Sequence, residues 1–502
     1  MRLAPAPRYP RRVFDPRDGT GPLRRRRLAA GLADSGPRAA WRFGVLGLAI
    51  LLTACSEPRT HLLLITVDTL RRDHLGVHGE TRDLTPQLDA FARDAVVFDA
   101  AFAPAPFTRP SVAALLTGHD PGTLGVVSNA HPFRGSVETL ATGLWGAGFQ
   151  TAAVVSNAVL KPASGLARGF EAYDADMREH ERIRGAPERS AEPTTDAALA
   201  QLDRVGREPE RPFFLWVHYQ DPHGPYTPPP ALRERYLGPE ARRPGDPGQL
   251  AVSDDSRGLG AIPSYQYLDE QRSPAFYRAG YAAEVRHTDA QIGRLLAELG
   301  ARGLERRTLV VFASDHGESL GEDDYWFAHG EYLSDVLVRI PLWIRGPGLE
   351  PGRRADVASL LDVLPTVFRQ LGLSPPADLP GRDLFAAGAE SRSSVVHLST
   401  FAEASVPRRG VVAEGWKYVR SGGANPAEQF QALDETGRST APNGAAPQMA
   451  LRERVRAHGH ELARTSAPPA PSLTETERRT LEALGYVVSE PDETPEIAPP
   501  AP

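Results

Sequence analysis

The sequence predicts an α/β protein with a central sheet covered by helices. Short continuous apolar runs recur along the chain, and helical patterns alternate with them. A continuous apolar run bounded by polar residues is typical of a parallel strand buried on both faces. The predicted strands are residues 61–67, 150–155, 212–217, 308–313 and 340–344. The predicted helices are residues 85–94, 137–145, 275–299 and 359–371.

The remaining segments predict loops and a smaller C-terminal unit. Residues 178–193 and 225–263 are rich in Pro, Gly and Arg, which is typical of long loops. After residue 384, short strand-like runs precede a terminal helical pattern, so we expect a small α+β subdomain there. The predicted parts are a main α/β domain at residues 60–385, a C-terminal subdomain with a terminal helix at 386–487 and a disordered tail at 488–502.

The composition excludes several classes of protein. The chain has 502 residues, of which 41% are hydrophobic and 24% charged, so it can bury a large core and is not disordered. A single cysteine excludes an internal disulfide framework and a cysteine-based zinc finger. Residues 1–54 carry a net charge of +8, which leaves −14 on the rest of the chain. This acidic body argues against a nucleic-acid partner.

The N-terminal segment has the features of an export signal. Arg38 and Arg42 precede the apolar run 43–54, which is too short to span a bilayer, since a spanning helix needs about 20 residues. The run ends in LTAC, which resembles the bacterial lipobox and places the lone cysteine, Cys55, where that motif is lipidated. We predict a leader and lipoprotein signal peptide at residues 1–54 and a lipid anchor that holds the protein in the periplasm or on the outer face of a membrane. The alternative is a chance apolar helix with a buried thiol.

Polar residues at the ends of two predicted strands are candidates for a metal site. Asp68 follows the first strand, and Asp315 with His316 follows the strand at 308–313. In an open α/β sheet, ligands bind beyond the carboxyl ends of the strands. Two carboxylates and an imidazole suit a divalent cation. On spacing alone, capping of the adjacent helices is an equal alternative.

Thr108 is a candidate nucleophile. It precedes Pro110 and a helix-forming stretch, so we expect it at a helix N-terminus. Free amides and the positive end of the helix dipole attract an anion at such a place. A hydroxyl beside a cation that lowers its pKa is an activated nucleophile. The alternative is that Thr108 only caps the helix.

Five segments in order carry a family resemblance: VDTLRRDHLG, PFTRPSVAALLTG, HYQDPHGPY, SDHGES and FAHGEYLSDVLVRIPL. They resemble the sulfatase family of the alkaline phosphatase superfamily across residues 62–382, with a weaker likeness in TLEALGYV near the C-terminus. The resemblance implies an alkaline-phosphatase-like three-layer sandwich with a central mixed, mostly parallel sheet and a small C-terminal α+β subdomain. It also implies that residues 60–385 form the catalytic domain.

The resemblance assigns roles to the candidate residues. Asp68, Asp315 and His316 become metal ligands, and Thr108 becomes the nucleophile that completes the coordination sphere. We expect one divalent ion, with Zn or Mn favoured and Ca or Mg still open, because fewer carboxylates suit a nitrogen-tolerant metal. A second metal stays undecided.

Several positions depart from the sulfatase pattern. Thr108 stands where sulfatases carry the cysteine or serine that becomes formylglycine, so no formylglycine is expected. The arginine of that motif falls at Val112, the catalytic lysine at Gly330 and the second N-terminal aspartate at Thr69. Threonine at the nucleophile position is found in the superfamily's phosphoethanolamine transferases, lipoteichoic acid synthases and nucleotide pyrophosphatases, which act on phosphorus.

Other histidines complete the expected pocket. His223 and His329 match family histidines that contact the substrate or a second metal, and we expect them to bind the transferred group or protonate the leaving oxygen. A hydrogen-bonded structural role is the alternative for each. We interpret His218 and His287 as structural, and Glu284 equally well as a solvated helix residue.

The sequence thus predicts a metal-dependent, sulfatase-like hydrolase or transferase of phosphate or sulfate esters at the cell envelope. Its partners would be an anionic ester, with envelope glycans and lipids among the candidates, and the membrane that holds the lipid anchor. One alternative is a sulfuric ester hydrolase that works without formylglycine. The other is a non-catalytic envelope protein that binds glycans.

Overall fold

A computed structural model describes residues 60–180, 185–254, 257–388, 395–401, 405–423, 425–442, 447–464 and 474–483. The predicted leader, the lipidation site Cys55 and the predicted tail at 488–502 lie outside these described residues. Within them, no helix is both long enough and apolar enough to cross a membrane.

The secondary structure alternates between strands and helices through most of the chain. The strands are β1 (His61–Val67), β2 (Val96–Phe102), β3 (Gln150–Val155), β4 (Ala172–Asp174), β5 (Glu179–His180), β6 (Pro187–Glu188), β7 (Phe213–Tyr219), β8 (Val252–Ser253), β9 (Ile262–Pro263), β10 (Thr308–Ser314), β11 (Ser319–Leu320), β12 (Trp326–Ala328), β13 (Leu342–Arg345), β14 (Gly352–Ser359), β15 (Val396–Ser399), β16 (Arg408–Ala413), β17 (Trp416–Ser421), β18 (Glu428–Leu433) and β19 (Ser439–Thr440). The helices are α1 (Pro86–Arg93), α2 (Thr108–Thr117), α3 (Leu140–Gly146), α4 (Ala191–Val205), α5 (Pro230–Tyr236), α6 (Pro274–Ala301), α7 (Asp335–Val338), α8 (Val363–Gln370), α9 (Gln448–Arg464) and α10 (Glu475–Ala483).

An eight-stranded mixed sheet forms the centre of the fold. Its strand order is β14-β2-β13-β10-β1-β7-β3-β4. All neighbouring pairs are parallel except those made by β13, which runs antiparallel to both β10 and β2. The prediction of a mixed, mostly parallel sheet is therefore confirmed.

Helices cover both faces of this sheet because its strands bury alternate side chains on opposite sides. Leu62 and Leu64 of β1 pack with residues of α2 and α8 in one core cluster. Leu63 and Ile65 pack with residues of α1, α4 and α6 in the other. Two apolar layers on either side of one sheet give the three-layer sandwich.

The C-terminal part forms a separate five-stranded antiparallel sheet, β15-β16-β17-β18-β19. Helix α9 packs on this sheet through Leu451 and Val455, which contact Val411 of β16 in one apolar cluster. The ammonium of Lys417 is buried and lies 2.7 Å from Asp335 of α7. This ion pair ties the small sheet to the segment that carries His329.

Several elements were not predicted from the sequence. Helix α5 and the short strands β8 and β9 lie inside the predicted loop 225–263, where Pro and Gly masked their patterns. Four others were missed for identifiable reasons. Strand β2 contains Asp99, which interrupts the apolar run and is paired with Arg72 in the fold. Strand β14 is an edge strand whose first residues are exposed, so it is not apolar. Helix α4 begins inside the predicted loop 178–193 and continues beyond it. Helix α9 contains a glycine, Gly459, which weakens a helical sequence pattern.

Candidate active site

The predicted site residues lie at one edge of the central sheet. Asp68 directly follows β1, and Asp315 directly follows β10. Strands β1 and β10 pair in parallel with Val67 beside Ser314, so both carboxylates leave the sheet at the same level. Helix α2, which Thr108 begins, follows β2 and reaches the same edge. The carboxyl ends of the strands therefore bring the four residues together, as the strand-end rule predicts.

Asp68, Asp315 and His316 form a compact and fully buried cluster. Each offers one ligand atom, and the three atoms lie within 4.8 Å of one another. His316 Nε2 lies 3.6 Å from Asp68 Oδ1 and 3.7 Å from Asp315 Oδ2. These distances leave room for an ion between the three side chains rather than direct hydrogen bonds among them.

The hydrogen bonding of this cluster fits a divalent cation. Asp315 Oδ1 accepts from the amides of Thr69 and His316, but Asp315 Oδ2 and Asp68 Oδ1 are buried without a hydrogen-bond partner. Burial raises the pKa of Asp315, and the charge of Asp68 raises it further. Burial opposes ionisation of Asp68 too, but the nearby imidazole of His218 and the charges of His223 and His316 hold its pKa below the usual range. A cation between the two facing carboxylates would satisfy their orphan oxygens.

The imidazole of His316 has the tautomer that a metal ligand requires. Its Nδ1 lies 2.9 Å from the carbonyl oxygen of Gly317, and a carbonyl can only accept. Nδ1 therefore carries a hydrogen, which leaves Nε2 as the ring atom that can offer a lone pair to a metal ion.

The hydroxyl of Thr108 faces the same cluster. Thr108 Oγ1 lies 3.5 Å from Asp68 Oδ2 and 3.4 Å from His316 Nε2, and the side chain is fully buried. The helix beneath it offers fewer free amides than expected, because the amide of Arg109 donates to Asn129 Oδ1 and Pro110 has none. The positive end of the helix dipole remains available to an anion.

His223 and His329 lie beside the cluster. The ring centroid of His329 is 4.5 Å from that of His316 and 5.3 Å from that of His223. His223 Nδ1 lies 2.7 Å from the carbonyl oxygen of Gly224, and His329 Nδ1 lies 3.2 Å from Glu318 Oε1. Burial, followed by the charge of His316, lowers the pKa of His329 to about 3. Burial raises the pKa of Glu318 to about 7.

The sequence interpretation missed three residues of the site. Asn157 donates to Asp68 Oδ2 at 2.5 Å, and the strand-end rule applied to β3 would have pointed to it. His218, interpreted as structural, lies with Nε2 3.6 Å from Asp68 Oδ2. Glu318 belongs to the motif SDHGES, but the pattern of strands and helices does not indicate that its side chain lies in the site.

Comparisons with known proteins agree with this geometry. The family model described as Sulfatase matches residues 60–373, which is more than half of the chain. The chain belongs to the sulfatase family. A choline-sulfatase of Rhizobium meliloti is 28% identical over 405 residues, covering 72% of this chain and 78% of the relative. An arylsulfatase of Clostridium perfringens is 26% identical over 378 residues, covering 65% of this chain and 78% of the relative.

Solved structures show the same fold. A phosphonate monoester hydrolase of Agrobacterium radiobacter superposes with a TM-score of 0.63 at 21% identity, covering 84% of this chain and 99% of that chain. The alkaline-phosphatase-like architecture is therefore confirmed. Together with the family match and the curated relatives, it identifies the chain as an ester hydrolase of the sulfatase family.

The positions that depart from the sulfatase pattern have surroundings in this fold that suit the residues present. Gly330 has a φ of +105°, and a Cβ there would lie 2.7 Å from Cε1 of Phe107, so Phe107 takes the space of a side chain at 330. Val112 is buried in the apolar core. Thr69 adopts a φ of 55°, a strained conformation for a β-branched residue, while its amide donates to Asp315. These replacements leave the three-ligand cluster intact.

Proposed function

We propose that this sulfatase-family protein is a metal-dependent hydrolase or transferase of phosphate or sulfate esters that uses Thr108 as its nucleophile. The observation that carries the proposal is the position of the Thr108 hydroxyl, within 3.5 Å of both Asp68 and His316. A structural threonine would not need to face two buried groups that also fit a cation.

Asp68, Asp315 and His316 would hold the divalent ion, with the hydroxyl of Thr108 completing the ligand set. A cation there supplies positive charge that lowers the pKa of the hydroxyl and neutralises charge on the reacting ester. Two carboxylate oxygens and one imidazole nitrogen favour Zn or Mn, and Ca and Mg remain candidates.

The residues of the chain perform the reaction in two displacements. Thr108 Oγ1 gives its proton to the imidazole of His223 or His329 and bonds to the phosphorus or sulfur of the ester while the bond to the leaving oxygen breaks. His223 and His329 are placed to hydrogen-bond the transferred group and to give the leaving oxygen its proton. Water or an acceptor hydroxyl then attacks the covalent Thr108 ester, which regenerates the threonine and releases the product.

Phosphorus esters are the favoured substrates. Threonine cannot become formylglycine by the modification that acts on cysteine or serine, and Phe107 takes the space beside position 330. The second candidate is a sulfuric ester hydrolase, which the names of the choline-sulfatase and arylsulfatase relatives favour. Matched substrates separate the two.

The deciding experiment uses the purified full chain with Zn, Mn, Mg or Ca on p-nitrophenyl phosphate, bis-p-nitrophenyl phosphate and p-nitrophenyl sulfate. We expect phosphorus turnover that needs the ion and falls on the order of 10³-fold or more in Thr108→Ala. The control is Thr117→Ala, which removes another buried hydroxyl of α2 that bonds Ala113. Full activity in Thr108→Ala would refute the nucleophile, and preference for the sulfate would favour the second candidate.

We also propose an envelope location, on sequence grounds. The lipobox-like segment ending at Cys55 supports lipidation, and the acidic body would then meet anionic esters of envelope glycans or lipids. Mass spectrometry of the protein from a bacterial host tests this, with Cys55→Ala as the control. An unprocessed N-terminus with an unmodified Cys55 would refute the anchor.

A further inference from the structure

Strand β1 connects the predicted lipid anchor with the candidate site. It begins at His61, six residues after Cys55, and ends at Val67, directly before Asp68. The seven residues of β1 span about 23 Å. One end of β1 therefore lies at the edge of the sheet where the parallel strands begin, here called the amino edge. The other end lies with the site at the opposite edge, here called the carboxyl edge.

The strands beside β1 share its direction and place it in the interior of the fold. Thr308 of β10 lies beside His61 at the amino edge, and β7 is also parallel to β1. In the strand order, four strands lie on one side of β1 and three on the other. Every residue of β1 is buried. The chain therefore enters the fold near the middle of the amino edge, and protein fills the space between that point and the site.

The segment between Cys55 and the fold is short compared with this distance. Thr60 is the first described residue, and the five peptide units from Cys55 to Thr60 extend at most about 18 Å. If the carboxyl edge faced the membrane, this segment would have to pass around the nearer side of the sheet. The three strands on that side add about 14 Å to the length of β1, about 23 Å, and the sum is about twice the available length. A lipid on Cys55 therefore keeps the amino edge nearer to the bilayer than the site.

An exposed tryptophan at the amino edge supports the same orientation. Trp145 is 57% exposed and lies in the last turn of α3, which ends shortly before β3 begins at Gln150. Among the described residues, no other Phe, Trp or Tyr side chain is exposed. An indole ring suits the head-group region of a bilayer, because it has an apolar body and one polar N–H group.

We propose that the anchor holds the amino edge toward the membrane and the site away from it. The enzyme then acts on esters that project well beyond the head groups of its own membrane, in solution or on a long envelope glycan, and not on the head groups themselves. This inference rests on the proposed function for the lipid on Cys55 and for ester turnover. The orientation can be measured without turnover, so the two can fail separately.

An ester displayed at two heights above a bilayer tests the choice of substrate. The nitrophenyl ester that the enzyme turns over fastest in solution is attached to a phospholipid through a short spacer or through a poly(ethylene glycol) spacer several times longer than β1. Vesicles of phosphatidylcholine and phosphatidylglycerol carry one of these lipids and the lipidated chain. We expect kcat/KM to be at least about 10-fold lower with the short spacer. Equal turnover with both spacers would overturn the proposal.

Two further proteins separate the effect of the anchor from the shape of the site. The chain from Ser56 lacks the anchor but retains every described residue, so we expect it to use both spacers within about 3-fold. A Gly/Ser insertion of about 30 residues between Glu57 and Pro58 can extend to about 100 Å. We expect the lipidated insertion variant to use the short spacer within about 3-fold of the long one. If either protein still discriminates against the short spacer, the length of the anchor is not the cause and the proposal is overturned.

Fluorescent labels measure the orientation without substrate. The chain has one cysteine, Cys55, and the lipid would occupy its sulfur, so a thiol-reactive dye marks only an introduced cysteine. Glu192→Cys places the dye in the first turn of α4, where the amide of Ala191 bonds Asp221 beyond the carboxyl end of β7. Glu210→Cys places it between α4 and β7, at the amino edge, and both glutamates are exposed.

We expect energy transfer to acceptors on the lipid head groups to be stronger from the dye at position 210 than from the dye at 192, because α4 separates them by about 22 Å. Equal or reversed transfer would overturn the proposal. A wild type without ester turnover would refute the proposed function and leave this measurement valid. An unmodified Cys55 would refute the envelope location and this inference with it.

Discussion

The side-chain amide of Asn157 holds the Asp68 carboxylate from one side, with Nδ2 2.5 Å from Asp68 Oδ2. The orientation of the amide is fixed, because Asn157 Oδ1 accepts from the backbone amide of Val159. The other oxygen of Asp68, Oδ1, has no hydrogen-bond partner and faces His316 at 3.6 Å. Asn157 therefore directs the unpartnered oxygen of Asp68 into the ligand cluster.

Removal of this amide should weaken the metal site. We expect Asn157→Ala to lower the affinity for Zn or Mn about 10- to 100-fold, as is typical when a hydrogen-bond partner of a metal ligand is lost. Isothermal titration of the metal-free protein measures the affinity. Asn157 also caps a short turn, so the control is Ser359→Ala, which removes a comparable cap on Leu361. Equal affinity in Asn157→Ala and wild type would contradict the role of Asn157.

Gly330 should not accept the lysine of the sulfatase pattern. In Gly330→Lys, the φ of +105° adds strain of about 1–2 kcal/mol and the contact with Phe107 adds about 1–3 kcal/mol. We expect the free energy of unfolding to fall by about 2–5 kcal/mol, without a gain in p-nitrophenyl sulfate turnover. Urea denaturation and a sulfatase assay measure the two quantities.

Gly348 provides a matched control for the conformational part of this effect. Its φ is +76°, but a Cβ there would meet nothing within 4 Å. Gly348→Lys should therefore lose only the conformational contribution, about 1–2 kcal/mol. Equal losses at the two glycines would show that Phe107 does not restrict position 330.

The sequence was most informative where function and strand ends coincide. Asp68, Asp315 and His316 directly follow apolar runs, so their place at the sheet edge could be predicted from the chain alone. His218 lies inside strand β7, and only the pairing of β7 with β1, which sets Thr66 beside His218, shows that it reaches Asp68. Glu318 was missed because its contacts, Tyr226 and His329, belong to other loops whose approach depends on the complete fold.

The fold decides between two interpretations of Glu284 in helix α6, as a residue of the site or as a solvated helix residue. Glu284 could have been a solvated helix residue, but it is buried, with Oε1 accepting from the amide of Thr227 and Oε2 without a partner. Burial raises its pKa well above the ordinary value, and the charges of Asp221 and Glu188 raise it further. The charge of Arg233 acts in the opposite direction but does not reverse the shift.

This shift gives stability a definite pH dependence. When folding raises the pKa of an acid, the folded state disfavours the charged form of that acid. The folded state therefore loses stability as pH rises above 4.5, the pKa of the glutamate in the unfolded chain. Glu284→Gln keeps an oxygen for Thr227 but cannot ionise. We expect its stability relative to the wild type to grow with pH, by at most about 1.4 kcal/mol per pH unit.

Urea denaturation between about pH 6 and about pH 9 measures the difference. The comparison starts there because burial raises the pKa of Asp221 to about 6, so Asp221 also titrates at lower pH. The control is Glu350→Gln, which makes the same substitution at an exposed glutamate. A constant difference between Glu284→Gln and the wild type across this range would mean that Glu284 is not the buried, charge-disfavoured group that its contacts indicate. The loop that carries His223 would then be held at Thr227 by an ionised carboxylate, and α6 would contribute a charge to the site.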